Sequence, residues 1–141
     1  DKKLVSGRLN FPLELIIRYY GTHVDATKLS AKNYDLVLIP GGFEAPDRMR
    51  QVPEILEFVK QMYKQKKVVS AFCHGPWVLI SAGILKGKKV TCYVGIKDDL
   101  KNAGAKYFDQ PVVIDDNIIT ARHPRDVGYL MKAIFSKFDT L

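Results

Sequence analysis

A thiol and an imidazole stand side by side at the end of an apolar segment of this sequence. Cys73 and His74 follow the apolar residues 68–72 and precede Gly75 and Pro76. A thiolate is a strong nucleophile, and an adjacent imidazole can accept its proton, so the pair suggests covalent attack on a carbonyl carbon. Side chains one residue apart do not face each other within a helix. The pair therefore predicts a tight turn at Cys73.

The alternative is that Cys73 is a small core residue, because free cysteine is among the most buried residue types. The flanking pattern favours the nucleophile. Residues 68–72 have the length and composition of a buried strand, and residues 75–82 are typical of a short helix that stops at Gly83. A strand–turn–helix elbow presents its central residue outward, and a helix N-terminus favours a thiolate. We therefore predict that Cys73 lies at such an elbow, with His74 as its base or ion-pair partner.

A glycine-rich turn is the second candidate component of a site. Pro40, Gly41 and Gly42 end another apolar run, residues 35–39. In open parallel sheets, ligands bind where the carboxyl ends of the strands meet. Backbone N–H groups of this turn would then lie near the elbow and could stabilise an oxyanion. An ordinary turn explains the motif equally well.

The rest of the chain alternates between strand and helix patterns, with no internal repeat. The sequence predicts a helix over residues 53–64, a strand over 90–93, a helix over 96–102, a hairpin over 112–120 and a helix over 124–138. A strand is also predicted over residues 11–20, although this part fits the pattern less well. Alternating strands and helices predict a mostly parallel sheet with helices on both faces.

Composition limits the class of protein. The 141 residues suit one domain, 1–141. The net charge of +7 is spread along the chain, so no nucleic-acid partner is expected. No apolar run approaches the roughly 18 residues of a membrane span, and no signal peptide is visible, so we expect a cytoplasmic protein. Two cysteines form no disulfide framework, and Cys92 is assigned to the core. No zinc spacing occurs, so neither a metal nor a cofactor is predicted.

Longer stretches around these motifs resemble the ThiJ/PfpI family, and within it the PfpI-type intracellular cysteine proteases. The resemblance is carried by YDLVLIPGGFEAPDRMR and by VVSAFCHGPWVLISAGILKGKKVTCYVGIKDDLKNAGAKYFDQPVVIDDNIITARHP. It extends over about residues 25–138. It implies an α/β fold: a flavodoxin-like three-layer sandwich with a mostly parallel sheet, related to class I glutamine amidotransferases.

The same resemblance implies roles for individual residues. Cys73 matches the nucleophile and His74 its partner. In this family an acid from a neighbouring subunit completes the triad, and the matching position is Asp47, with Glu44 as a rival. The backbone N–H groups of Gly42 and His74 match the oxyanion hole. The family assembles as dimers or trimers of dimers with the site near an interface, so a homo-oligomer is expected.

One part of the family pattern is not matched. Family members begin with a βαβ segment whose first strand ends in a glutamate that contacts the cysteine sulfur. We expect this segment to be missing from the chain, so that either the chain is a fragment of a longer protein or the site lacks this carboxylate. Glu14 is a less certain match for the glutamate. His123 precedes Pro124 at the predicted start of the last helix; a structural role is favoured, although His123 could line the pocket.

Three functions are compatible with these residues. The favoured one is hydrolysis, in which Cys73 attacks a peptide or small carbonyl substrate, His74 moves the proton and Asp47 orients the imidazole. The second is a glyoxalase III-like or deglycase activity on methylglyoxal adducts through a hemithioacetal on Cys73. The third is a stress-response chaperone or redox sensor that uses an oxidisable Cys73.

Overall fold

The structure, a computed structural model, describes residues 25–138. Within that range the first half contains β1 (Leu36–Ile39), α1 (Glu44–Met49), α2 (Pro53–Lys64), β2 (Val68–Phe72) and α3 (Pro76–Ser81). The second half contains β3 (Lys89–Val90), α4 (Lys97–Asn102), β4 (Lys106–Tyr107), β5 (Val112–Asp115), β6 (Ile118–Ala121) and α5 (Val127–Phe138). Single turns of 3₁₀ helix cover Ala26–Lys28, Ala31–Asn33, Val94–Ile96 and Pro124–Asp126.

The described strands form two sheets. The larger has the order β1-β2-β6-β5, with β1, β2 and β6 parallel and β5 antiparallel to β6. The smaller joins β3 and β4 in parallel. Ile39 pairs with Ala71 near the carboxyl ends of β1 and β2, so the two turns that follow these strands start at the same edge of the sheet. Those turns carry the glycines and Cys73, as the sequence predicts.

Helices cover both faces of the larger sheet. On one face Val69 and Ala71 of β2 join a core that includes buried residues of α2, α3 and α4. On the other face Val68 packs in a separate core with Leu130 and Ile134 of α5. Each fully buried Leu or Ile side chain contributes roughly 1.5–3 kcal/mol relative to exposure. The arrangement confirms the predicted flavodoxin-like three-layer sandwich.

The strand predicted over residues 90–93 is wrong beyond Val90. Thr91 N–H donates to the Thr120 hydroxyl at 2.9 Å, and Tyr93 N–H donates to the Cys73 carbonyl at 3.0 Å. The backbone therefore leaves the small sheet and turns towards the elbow. The helix predicted over 96–102 begins as a 3₁₀ turn at Val94–Ile96 and continues as α4.

Two elements were not predicted, α1 and β4. Residues 44–49 contain Pro46 and are too few to show a helical period, and β4 has only two residues. The predicted closing helix is divided into a 3₁₀ turn at Pro124–Asp126 and α5. The strand predicted over residues 11–20 lies outside the described residues. Between residues 25 and 138, no helix has the length and apolarity to cross a membrane.

Candidate active site

Cys73 occupies a strained position in the turn between β2 and α3. Its φ is +58°, in the left-handed region that costs a non-glycine residue roughly 1–3 kcal/mol. Hydrogen bonds hold it on both sides: its N–H donates to the Ala121 carbonyl at 3.1 Å, and its carbonyl accepts from Tyr93 N–H at 3.0 Å. The predicted strand–turn–helix elbow is confirmed, and the end of β6 and the segment after β3 fix its geometry.

The elbow brings the thiol and the imidazole together. Cys73 Sγ lies 3.3 Å from His74 Nδ1, although the residues are adjacent in sequence. The His74 ring stacks on Tyr93 at a centroid distance of 4.9 Å and meets the edge of Trp77 at 5.1 Å. Partial burial lowers the pKa of His74. The imidazole is therefore neutral near pH 7, which is the form that accepts a proton.

A second layer of contacts holds Trp77 against His74. The Trp77 indole N–H donates to Asp99 Oδ2 at 2.7 Å, and the Arg50 guanidinium lies 5.5 Å from the Trp77 ring centroid. Arg50 Nε in turn donates to the Ser81 hydroxyl at 2.9 Å. These residues come from α3, α4 and the end of α1. The sequence offers no signal for the Trp77–Asp99 pair, because its partners are 22 residues apart.

The glycine turn after β1 lies directly against the thiol. A Cβ at Gly41 would lie 2.5 Å from Cys73 Cβ and 3.1 Å from Sγ. Gly42 adopts φ +75°, a conformation that favours glycine. The N–H groups of Gly42 and His74 have no acceptor within residues 25–138. Both therefore have the donor capacity that the oxyanion-hole prediction requires, and that role remains a prediction.

The candidate acids lie apart from the thiol–imidazole pair. Glu44 accepts from Arg48 at 2.9 Å and Asp47 accepts from Gln51 at 3.2 Å, all on or just after α1 and exposed. Across residues 25–138 no carboxylate lies within hydrogen-bond or ion-pair distance of the His74 ring. Glu14 lies outside the described residues. The contribution of Asp47 or Glu44 from a neighbouring subunit thus remains a prediction.

Tyr93 also lines a cleft. The cleft has a volume of about 520 Å³, and we call it the Tyr93 cleft. Its lining residues include Tyr93, Asp109, Arg122, His123, Arg125 and Asp126. The His123 ring lies 6.4 Å from the Tyr93 ring, and His123 Nδ1 accepts from Arg125 N–H at 3.2 Å. His123 therefore both caps the 3₁₀ turn and lines the cleft. The described range contains no group of three or more His, Cys, Asp or Glu side chains placed to hold a metal.

The two thiols should differ sharply in reactivity. Cys92 is fully buried, and burial raises its pKa to about 12. Cys73 is also buried, but 9% of its surface remains exposed, against 0% for Cys92, and its sulfur contacts an imidazole. We expect iodoacetamide at neutral pH to alkylate Cys73 roughly 100-fold faster or more. Trypsin separates the two thiols into peptides 68–86 and 90–97, whose labelling mass spectrometry can follow; the unfolded protein should label at both. Equal rates in the folded protein would show that the elbow does not activate Cys73.

Comparison with known proteins identifies the class. The DJ-1/PfpI family model matches residues 14–137. This chain belongs to the DJ-1/PfpI family.

Individual relatives are similar over most of the chain. Deglycase PfpI of Pyrococcus furiosus is 43% identical over 115 residues, which are 80% of this chain and 69% of that protein. A Bacillus subtilis protein named "Putative cysteine protease YraA" is 48% identical over 99 residues, 70% of this chain and 58% of that protein. A crystal structure of a two-domain protein from Anabaena variabilis, with DJ-1/ThiJ/PfpI-like and ferritin-like domains, superposes with a TM-score of 0.79 and 44% identity. It covers 81% of this chain, which spans only 32% of that protein.

Proposed function

We propose that this chain is a cysteine-dependent enzyme that attacks carbonyl-derived carbons, and that its substrates are methylglyoxal adducts of amines. The observation that carries the proposal is the 3.3 Å contact between Cys73 Sγ and a neutral His74 imidazole, made at a strained elbow. The sequence favours peptide hydrolysis. The deglycase name of a relative that is 43% identical moves the preference to methylglyoxal adducts. Both reactions use the same nucleophile and consume water.

The first half of the reaction transfers the methylglyoxal carbon skeleton to sulfur. In the adduct, the aldehyde carbon carries a hydroxyl and the amine nitrogen. Cys73 sulfur bonds to that carbon, the carbon–nitrogen bond breaks, and the amine leaves with the proton that His74 took from the thiol. A hemithioacetal on Cys73 and an unmodified amine result.

The second half releases lactate. His74 removes the proton from the sulfur-bearing carbon and returns a proton to the adjacent carbonyl carbon, while the hydroxyl proton of the first carbon passes to the neighbouring oxygen. The two transfers convert the hemithioacetal into a lactoyl thioester. Water then hydrolyses the thioester and restores the thiol. The N–H groups of Gly42 and His74 would stabilise the oxyanion of that step. The atoms balance, because one adduct and one water give one amine and one lactate.

The assembly belongs to the same proposal. Asp47 and Glu44 are exposed on α1, so either carboxylate is accessible to a second copy of the chain. In a homo-oligomer, a dimer or a trimer of dimers, such a carboxylate would orient the imidazole of the neighbouring site.

A second candidate, peptide hydrolysis, rests on the same contact and on the name of the 48% identical relative. A direct comparison separates the two reactions. The protein is incubated with a methylglyoxal adduct of Nα-acetyl-lysine or with an unmodified peptide, and free amine, lactate and new peptide termini are measured. We expect amine and lactate in equal amounts, faster than the adduct releases methylglyoxal spontaneously. Lactate formation limited to the spontaneous rate would indicate a glyoxalase of free methylglyoxal instead. Peptide cleavage without lactate would establish the hydrolase and refute the deglycase.

The loss of activity at acidic pH should follow the protonation of the His74 imidazole. Among residues 25–138 the ring makes its hydrogen bond with Cys73 and its aromatic contacts with Tyr93 and Trp77, and no charged side chain lies within ion-pair distance. Burial lowers the pKa, so the imidazole stays neutral to a lower pH than the usual value of about 6.5. As the pH is lowered, activity should therefore begin to fall only below the usual histidine pKa of about 6.5.

Substitution tests the same group. His74→Gln should lower kcat by about 100-fold, a typical contribution of general base catalysis, and abolish the acidic limb of the pH profile. An acidic limb that persists unchanged in His74→Gln would assign the titration to another group.

A further inference from the structure

The carboxylates of the Tyr93 cleft are already paired with an arginine. Two carboxylates line it, Asp109 and Asp126, and both are engaged by the same side chain. Arg122 Nη1 donates to Asp109 Oδ1 at 2.9 Å, and Arg122 Nε donates to Asp126 Oδ2 at 3.3 Å. These contacts raise the pKa of the guanidinium, which remains fully charged. The acidic groups of the cleft are thus already paired.

The remaining polar side chains of the cleft, which include the Tyr93 and Tyr107 hydroxyls, can all donate. Arg125 is exposed and has no ion-pair partner within residues 25–138. His123 Nδ1 accepts from Arg125 N–H, which leaves Nε2 as the ring nitrogen that can donate. The Tyr93 hydroxyl is a further donor. A group that only accepts hydrogen bonds and carries negative charge complements this set, and a carboxylate does both.

The cleft adjoins the reactive thiol. Tyr93 forms the boundary, because its ring stacks on His74 at 4.9 Å and lies 6.4 Å from His123. A substrate that reacts at Cys73 and also binds Arg125 needs an arm that extends beyond the Tyr93 ring, because the cleft lining includes Tyr93 and Arg125 but neither Cys73 nor His74. A lysine or arginine that carries an adduct on its side chain has such an arm, and its α-carboxylate stands at the far end.

We propose that the Tyr93 cleft is a carboxylate subsite centred on Arg125, and that the substrates are side-chain adducts of amino acids or peptide ends with a free carboxylate. The identity of the reacting group rests on the proposed function, whereas carboxylate binding does not. Adducts within a continuous protein chain have an amide in place of the carboxylate, and they bind less tightly.

The subsite is tested by binding two ligands that differ only in this group. Nα-acetyl-lysine and Nα-acetyl-lysine amide are titrated by NMR into the full chain, and their dissociation constants are compared. We expect the acid to bind roughly tenfold more tightly than the amide, a difference typical of a charge-assisted hydrogen bond that is partly exposed. Arg125→Gln should abolish the difference and Arg125→Lys should retain part of it. Lys132→Gln, which removes one exposed cation from α5 outside the cleft lining, should leave the difference intact.

Several results would overturn the subsite. The unsubstituted protein could bind the acid and the amide with equal affinity. Arg125→Gln could weaken the binding of both ligands equally. Lys132→Gln could lose the preference for the acid as fully as Arg125→Gln does. The methylglyoxal adducts of the two ligands are then compared as substrates, and the subsite predicts a difference in KM that Arg125→Gln removes. If neither adduct is turned over while the binding preference persists, the deglycase proposal is refuted and the subsite is supported.

Discussion

Cys73→Ala should abolish deglycation, with kcat lowered by roughly 10³-fold or more. In the proposed reaction, the adduct carbon bonds to sulfur before the amine leaves, and the thioester that yields lactate is also on sulfur. Without the thiol, no group at the elbow can form either bond, and removal of a covalent nucleophile generally costs this much or more. The adduct assay described above, run at saturating substrate, measures the loss.

Cys92→Ala is the matched control for Cys73→Ala. It also removes one thiol, but from a fully buried position where burial raises the pKa to about 12. Because Cys92 also belongs to the lining of the Tyr93 cleft, the comparison uses kcat at saturating substrate. We expect this variant to keep most of its kcat and to lose some stability, because truncation of a buried side chain leaves a small void. Full activity in Cys73→Ala, or equal losses in both variants, would remove Cys73 from the mechanism.

Gly75→Ala should be the most destabilising single-methyl substitution at the elbow, at about 3 kcal/mol in the free energy of unfolding. The backbone of Gly75 is helical, with φ −49° and ψ −36°, so alanine suits its conformation. The space does not allow it. A Cβ would lie 2.5 Å from the Ile39 carbonyl oxygen at the end of β1 and 3.0 Å from the Phe72 carbonyl oxygen at the end of β2. Since backbone atoms cannot rotate away, the strands must separate.

Gly128→Ala provides the comparison for Gly75→Ala. Gly128 lies in α5, and a Cβ added there would meet no heavy atom within 4 Å, so alanine should stabilise the helix by up to about 1 kcal/mol. Urea unfolding of both variants measures the difference. If the two substitutions had the same effect, the close approach of Gly75 to β1 would be incorrect.

The longest and most regular elements could be predicted from the sequence. The bounds of α2 were predicted to the residue, because its apolar positions follow the helical period and Pro53 stands at its start. The bounds of β2 were also predicted. Its five residues are all apolar or small, and the residues on either side of the strand are polar. By contrast, α1 and β4 are too short to show a period. Residues 91–93 look like a strand, but their N–H groups bond to the Thr120 side chain and to the elbow.

The nucleophile and its base could likewise be predicted, because a short apolar run followed by Cys73, His74 and Gly75 indicates an elbow. The residues that hold the imidazole could not. Tyr93 and Trp77 are aromatic residues within apolar segments, and local patterns assign such residues to packing. Only the fold shows that both rings contact His74. The same is true of the Tyr93 cleft, whose lining residues come from separate segments of the chain.

Cys73 is expected to form a covalent bond with the substrate carbon during turnover. To detect this bond, the protein is mixed with the methylglyoxal adduct of Nα-acetyl-lysine and the reaction is quenched with acid after short intervals. The tryptic peptides are then analysed by mass spectrometry. We predict that peptide 68–86 gains the mass of one methylglyoxal, that the gain appears before lactate does, and that it decays as the substrate is consumed. If lactate forms with no transient mass gain on peptide 68–86, or with the same mass gain on peptide 90–97, a specific covalent bond at Cys73 would be refuted.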